Sequence, residues 1–225
     1  MSSVLEITGL EAGYGPLRVL HGINLSVGEG ERVGILGLNG HGKTTMLRSI
    51  VNLVDWRSGE ITLNGDSIMG ASTHELARRG VVLMPQGDAL FPGLTVKDNL
   101  DSGAYPGNSW KFRKERRDYV CEIFPRLGER LSQVVGTLSG GERRMCSIGR
   151  GLMSEARLYL VDEPSLGLGP GIAKGICDTL FTLDLQGGAL LIAEQNRALI
   201  DGRIDRALRM HGGELMPDTG EDGGH

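Results

Sequence analysis

The segment GLNGHGKTT, residues 37–45, constrains this chain more than any other. It follows ERVGILG, an apolar run ending in Gly, and it opens KTTMLRSIVNLV, which places Met46, Leu47, Ile50, Val51 and Val54 on one helical face. The spacing is G-x-x-x-x-G-K-[ST], with Gly37, Gly42, Lys43 and Thr44, between a strand and a helix. Backbone N–H groups from Asn39 to Thr44 then point into a concavity sized for β- and γ-phosphates. Gly at 37, 40 and 42 lets the backbone approach closely. Lys43 adds a point charge, and the Thr44 hydroxyl suits Mg²⁺. A tight strand-to-helix turn explains the glycines alone, but it has no need of Lys43 and Thr44.

The rest of the pattern is α/β. VLEIT and INLSV alternate apolar and polar residues, as half-exposed antiparallel strands do. SGEITLNGD reads as a strand with a turn at Asn64-Gly65, and STHELARRG as a short helix that Ser72 and Glu75 cap as a box. VVLMP, RLYLVDE and GALLIAEQN are buried strands, and ERRMCSIGRGLM and GIAKGICDTLFTL are helices. Buried strands alternating with helices imply a mostly parallel sheet. Residues 95–137 are more polar, helical and basic, and are expected to form a helical subdomain inserted into the core. A short helix from about Arg197 and a hairpin around Gly212-Gly213 close one domain over 1–216. The tail 217–225, rich in Gly and acids, is expected to be disordered.

Composition narrows the class. The 225 residues carry a net charge of −4, which argues against nucleic acid as a partner. The basic cluster WKFRKERR lies in the helical segment and reads as a solvated face. Cys121, Cys146 and Cys177 have no metal spacing and suit buried thiols in a reducing compartment. The start MSSVLEITGL has no basic region or long apolar run of the signal-peptide kind, and no stretch nears the ~18 apolar residues of a membrane span. Work at a membrane therefore requires other chains.

Further residues fit the phosphate loop. Asp162 and Glu163 end an apolar strand, where open α/β sheets bind ligands. Asp162 is placed to hold Mg²⁺, and Glu163 to polarise an attacking water. Gln86, after VVLMP, can ligate Mg²⁺ or sense the γ-phosphate; read alone it is a polar loop residue. Tyr14, in AGYG, can stack on adenine, although a plain turn Tyr fits equally well. A second Gly-rich segment, LSGGERRM at 138–145, precedes a helix about a hundred residues after the first.

With these segments in order, the chain resembles the ATP-binding subunit of an ABC transporter. LSGGE is that family's signature, accompanied here by GLNGHGKTT, Gln86 and LYLVDEP. The resemblance implies a P-loop core with a mostly parallel sheet, an N-terminal antiparallel β subdomain and a helical subdomain ending in the signature. It also accounts for two phosphate-binding segments. Two domains pack head to tail, and Ser139, Gly140 and Gly141 of one meet the γ-phosphate held by the other. The nucleotide contacts implied are Tyr14, Asn39, Gly40, His41, Gly42, Lys43, Thr44, Thr45 and Gln86. Thr44, Gln86 and Asp162 hold Mg²⁺, and Glu163, Lys43 and Gln195 carry hydrolysis of ATP.

EPSLGLGP and LLIAEQN resemble the ATPases that serve uptake of branched-chain and other hydrophobic amino acids, with the urea and short-amide branch as a near relative. The implied partners are itself or a sister ATPase, two membrane-spanning permease subunits and, indirectly, a solute-binding protein. The implied location is cytoplasmic, on the inner face of the cell membrane. The groove near Gln86, with Phe91, Pro92 and Leu94 in the following loop, is a candidate docking site, or those apolar residues pack on the helical subdomain. Four departures stand out, the first being Gln86, where the amino-acid branch often carries an acid and the urea and short-amide branch tends to keep Gln. Gly169 replaces an Asp common after the LYLVDEP strand, Gln195 replaces a His, and Arg143 and Arg144 stand where amides are common. A soluble ABC ATPase and a nucleotide-gated module with little turnover are the competing readings.

Overall fold

A computed structural model of the chain describes residues 3–105, 109–218 and 220. Strands β1 (Ser3–Tyr14) and β2 (Leu17–Gly28) pair antiparallel and are followed by β3 (Arg32–Leu36) and helix α1 (Lys43–Ile50). Then come β4 (Trp56–Leu63), β5 (Asp66–Ser67), α2 (Thr73–Arg78) and β6 (Val81–Met84). A helical stretch follows, with α3 (Val96–Gly103), α4 (Arg113–Ile123), α5 (Pro125–Gly128) and α6 (Gly140–Leu152). The remaining elements are β7 (Leu158–Asp162), α7 (Pro170–Thr182), β8 (Ala189–Glu194), β9 (Arg206–His211) and β10 (Glu214–Pro217).

Two sheets result. The antiparallel sheet runs β2-β1-β4-β5, and the larger one β10-β9-β3-β8-β7-β6, parallel throughout except for β10. β8 is buried at all six positions, the mark of a strand covered on both faces. One face packs with α1 against the antiparallel sheet, through Leu5, Leu10, Leu20, Ile35, Met46 and Ile50. The other face packs against the helical segment and α7, through Met84, Leu100, Val120, Ile148, Ile176 and Ile192.

Local chemistry sets the boundaries. The Asn64-Gly65 turn has positive φ at both residues, 51° and 85°, which suits a hairpin of this hand. Ser72 and Glu75 form the expected capping box on α2. α1 stops at Ile50, earlier than its apolar pattern suggests, and Asn52 turns the chain away at φ 58°. Arg57 is bonded to the carbonyls of Ser49 and Ile50 at that end and to those of Ile68 and Met69. The helical insert closes on itself where Thr95 bridges Val134. The short helix expected from Arg197 is a single 3₁₀ turn, Arg197–Leu199. Of the expected tail, Pro217 lies in β10 and Asp218 accepts bonds from Arg197 and Arg209; most of the remainder falls outside the described residues.

The helical insert depends on close backbone contact between α3 and α6. A Cβ on Gly103 would lie 2.0 Å from the carbonyl oxygen of Arg150. Backbone cannot yield as a flexible side chain does, so Gly103→Ala is expected to lower stability by about 1–3 kcal/mol. Urea unfolding checks this, and an unchanged midpoint at unchanged slope refutes it.

Candidate phosphate site

Parallel strands bring the expected site residues to one edge of the sheet. β3 runs into the glycine loop, β7 ends at Asp162, Gln86 follows β6, and Gln195 follows β8. The carboxyl edge of such a sheet is where ligands bind. The loop from Gly37 to Gly42 requires its glycines at two positions in particular. A Cβ on Gly37 would lie 2.5 Å from the carbonyl oxygen of Met210, and Gly42 has φ 108°. The β9–β10 hairpin backs the loop, with Gly213 N donating to His41 O at 3.0 Å and the His41 ring edge-on to His211.

A cleft of about 270 Å³ opens here, lined by Val19, Asn39, Gly40, Gly42, Lys43, Thr44, Thr45, Gln86 and Glu163. Lys43 and Glu163 form an ion pair inside it at 2.8 Å, their side chains 3% and 5% exposed. Lys43 Nζ also donates to the loop carbonyls of Gly37 and Leu38, at 2.7 and 3.1 Å. Gln86 Nε2 donates to the other oxygen of Glu163 at 3.3 Å. Glu163 itself has φ 42°, a left-handed conformation costly for a non-glycine residue and concentrated at functional sites. Its N–H donates to Ala193 O at 2.9 Å. The aspartate next to it, Asp162, accepts from Thr44 Oγ1 at 3.1 Å. Burial pushes the Asp162 carboxyl above the usual carboxylate range; the Thr44 hydroxyl opposes this and the neighbouring Glu163 adds to it.

The donor set suits a hard cation. Thr44 and Asp162 offer adjacent oxygens, and Gln86 adds an amide. Among the described residues no cluster of three or more His, Cys, Asp or Glu forms a metal cage. Mg²⁺ takes one or two protein oxygens, which the Thr44 hydroxyl and the Asp162 carboxylate would supply.

Not every expected residue meets in this cleft. Tyr14 is half-buried at the end of β1, opposite Leu17, and Val19 rather than Tyr14 lines the cleft wall. Exposed Gln195 borders a neighbouring depression with Glu163, Ser165, Leu166 and Glu194. Gly169 is the N-cap of α7 and provides no side-chain cap. Ser139 and Gly140 are exposed at the start of α6, and neither they nor Gly141 line the cleft of their own chain. Ser139 and Glu142 form a second capping box, an S-x-x-E pattern the sequence displays as plainly as it does at Ser72. Cys146 and Cys177 are fully buried, their thiols pushed up to about 12 by burial, and Cys121 is half-buried. In the basic cluster, Arg116 and Arg117 pair with Glu155 and Asp101.

Two residues of consequence carry no role in the sequence reading. Glu194 is 1% exposed and accepts from the backbone N–H of Ser165, Gln195 and Asn196, so it shapes both loops beside Glu163. Arg144 is 3% exposed and reaches the loops of Gln86 and Glu163. A helical period over α6 finds it, because Gly141, Arg144, Ile148 and Leu152 share the buried face.

Comparison with known proteins agrees with this geometry. The family profile described as ABC transporter matches residues 20–166. The high-affinity branched-chain amino acid transport ATP-binding protein BraG of Pseudomonas aeruginosa is 38% identical over 96% of this chain and 93% of its own length. The probable branched-chain amino acid transport ATP-binding protein LivF of Archaeoglobus fulgidus is 35% identical over 92% of this chain and 85% of its own. Among solved structures, the ADP conformation of MJ1267, an ATP-binding cassette of an ABC transporter, superposes with a TM-score of 0.80 at 25% identity, covering 96% of this chain and 90% of that one. With the glycine loop, the acidic strand end and the signature all in their places, the chain belongs to the ABC transporter family and is one of its ATPases.

Proposed function

We propose that this ATPase powers uptake of branched-chain or other hydrophobic amino acids through partner membrane subunits, by ATP-driven closure of a head-to-tail ATPase pair. The observation behind the transport class is the similarity to BraG and LivF across nearly the whole chain. The observation behind the chemistry is the cleft that gathers Lys43, Thr44, Gln86 and Glu163.

In this reading the backbone N–H groups from Asn39 to Thr45 and the Lys43 ammonium hold the β- and γ-phosphates, and His41 keeps its loop against the β9–β10 hairpin. Thr44, Asp162 and Gln86 would hold Mg²⁺, which would neutralise charge on the bound phosphates. Glu163 accepts a proton from the attacking water, and Gln86 orients its carboxylate. Gln195 donates a hydrogen bond to the γ-phosphate and, unlike His, stays neutral. Tyr14, paired with the exposed Leu17, offers a flat apolar face to adenine.

The signature residues lie outside their own chain's cleft, which suits a role in a second copy or a sister ATPase. Ser139, Gly140 and Gly141 at the N-terminus of α6 then grip the other chain's γ-phosphate. Ser139→Arg is expected to leave ATP binding by the single chain intact and to abolish ATP-driven pairing. Sedimentation in a hydrolysis-deficient background reads this out, and normal pairing of the variant contradicts a shared site.

No helix among the described residues is long and apolar enough to cross a membrane. The similarity to ATP-binding proteins of transporters supports a place on the inner face beneath two permease subunits. A groove of about 670 Å³ runs along the edge strand β6 between α1 and α3, with Leu53, Leu83, Pro85, Tyr105 and Arg150 among its walls. Phe91 and Leu94 stand exposed on the loop after it, and Asn99 pins that loop through both the N–H and C=O of Phe91. This groove receives a cytoplasmic segment of the permease. Gln86 supports a second reading of the solute, urea or a short amide, since the amino-acid branch often carries an acid there. Co-purification from the native membrane, then reconstitution in vesicles, separates the two. ATP-dependent leucine uptake is expected; uptake of urea alone, or co-purification with ribosomes in place of membrane proteins, overturns the proposal.

A further inference from the structure

Arg144 carries its guanidinium into the interior and bonds there to main-chain oxygens. Its five N–H donors are all used on main-chain oxygens. Nη1 donates to Pro85 O at 2.7 Å and to Gly87 O, the residues either side of Gln86. Nη2 donates to Asp162 O at 2.9 Å and Glu163 O at 3.2 Å, and Nε to Pro164 O at 3.2 Å. One planar fork therefore ties together the Gln86 loop, the Glu163 turn and helix α6, whose N-cap is Ser139. Burial draws its pKa down, and the nearby carboxylates of Asp88, Asp162 and Glu194 oppose that.

Two neighbours on α6 reinforce the same loop. Arg143 Nε donates to Asp88 Oδ2 at 2.8 Å and its Nη1 to Leu138 O at 2.9 Å. The Arg150 guanidinium lies 5.8 Å from the centre of the Phe91 ring. Glu163, meanwhile, holds a conformation that a non-glycine side chain resists, so its surroundings must impose it. Among them are the bond from its N–H to Ala193 O and the grip of Arg144 on its carbonyl.

We infer that Arg144 is a positioning residue for ATP hydrolysis: it fixes Gln86 and Glu163 relative to one another and couples both to the signature helix. The inference rests on the catalytic reading of Glu163 given above. Neither Lys nor Gln reproduces all five bonds that Arg144 makes in this chain. An ammonium has three donors and no fixed fork, and an amide has two.

The test compares the wild type, Arg144→Lys, Arg144→Gln, and Gly103→Ala as a destabilised control away from the site. Steady-state ATPase kinetics and amide hydrogen exchange are measured on the full chain. Both Arg144 variants are expected to lose at least about tenfold in kcat, with KM for ATP changed less than about threefold. Amides in 86–89 and 163–166 should exchange faster together. Unchanged kcat, faster exchange in only one segment, or an equal kcat loss in Gly103→Ala overturns the inference. Should neither Arg144 variant fold, native-state exchange of the wild type in rising urea decides. Opening of the two segments at one common free energy supports the clamp, and opening at separate ones refutes it. A Glu163→Gln control that turns over like the wild type identifies failure of the catalytic reading, and the exchange comparison still reports on the clamp.

Discussion

Glu163→Gln is expected to lower kcat for ATP hydrolysis by about 10²–10⁴-fold while leaving equilibrium ATP binding close to that of the wild type. The substitution preserves size and the acceptor oxygen that Lys43 contacts at 2.8 Å, and it removes only the basic oxygen and the negative charge. Phosphates held by the glycine loop lose none of their N–H donors. A proton leaving the attacking water loses its acceptor. In the proposed reading this acceptor is Glu163 rather than Asp162. Asp162 is 2% exposed, engaged by Thr44 and absent from the cleft lining, whereas Glu163 faces Lys43, Thr44 and Gln86 across the cleft. Phosphate release under saturating ATP, with binding titrated separately, measures both halves. A variant within about tenfold of the wild type removes Glu163 from catalysis. A wild type that is itself no faster than the variant favours the nucleotide-gated module, for which Gly169 and Gln195 supply the motive.

The sequence displayed the elements of this site more clearly than their connections. The glycine loop, the acid pair at a strand end and the signature are each local patterns, and each occupies the position its pattern demands. The antiparallel strands were harder to bound. β1 and β2 are each twelve residues long, and repeated register shifts between them break the alternation that marks a strand. α1 shows the reverse. Its apolar face continues to Val54, yet left-handed Asn52 ends it, and nothing in the periodicity marks that turn. The contacts of Lys43 with Glu163, of Arg144 with two loops and of Glu194 with three backbone amides join segments far apart in the chain. Such contacts follow from strand order, β3-β8-β7-β6, which local pattern leaves open. Even so, Arg144 on a buried helical face and Glu194 at the end of an all-buried strand were both legible as charges placed where only a bonding role tolerates them.

The same buried pair makes Lys43 the second site of large effect. Lys43→Ala is expected to weaken ATP binding by at least about 100-fold, roughly 3 kcal/mol, because a desolvated charge facing the phosphates is removed. It also leaves Glu163 buried without its cation. Breaking a buried pair in this way costs about 3–5 kcal/mol, even where the intact pair adds little net stability. Lys43→Ala is therefore expected to be less stable than the wild type without any nucleotide present. Adding Glu163→Gln to Lys43→Ala removes the stranded charge and should recover part of the loss, with a coupling of about 1–3 kcal/mol in the double-mutant cycle. Urea unfolding of the four proteins gives the cycle, and isothermal titration gives the affinities. Unchanged ATP affinity in Lys43→Ala refutes its phosphate-binding role. Strictly additive stabilities refute the ion pair as an energetic link, because two residues that do not feel one another show no such recovery.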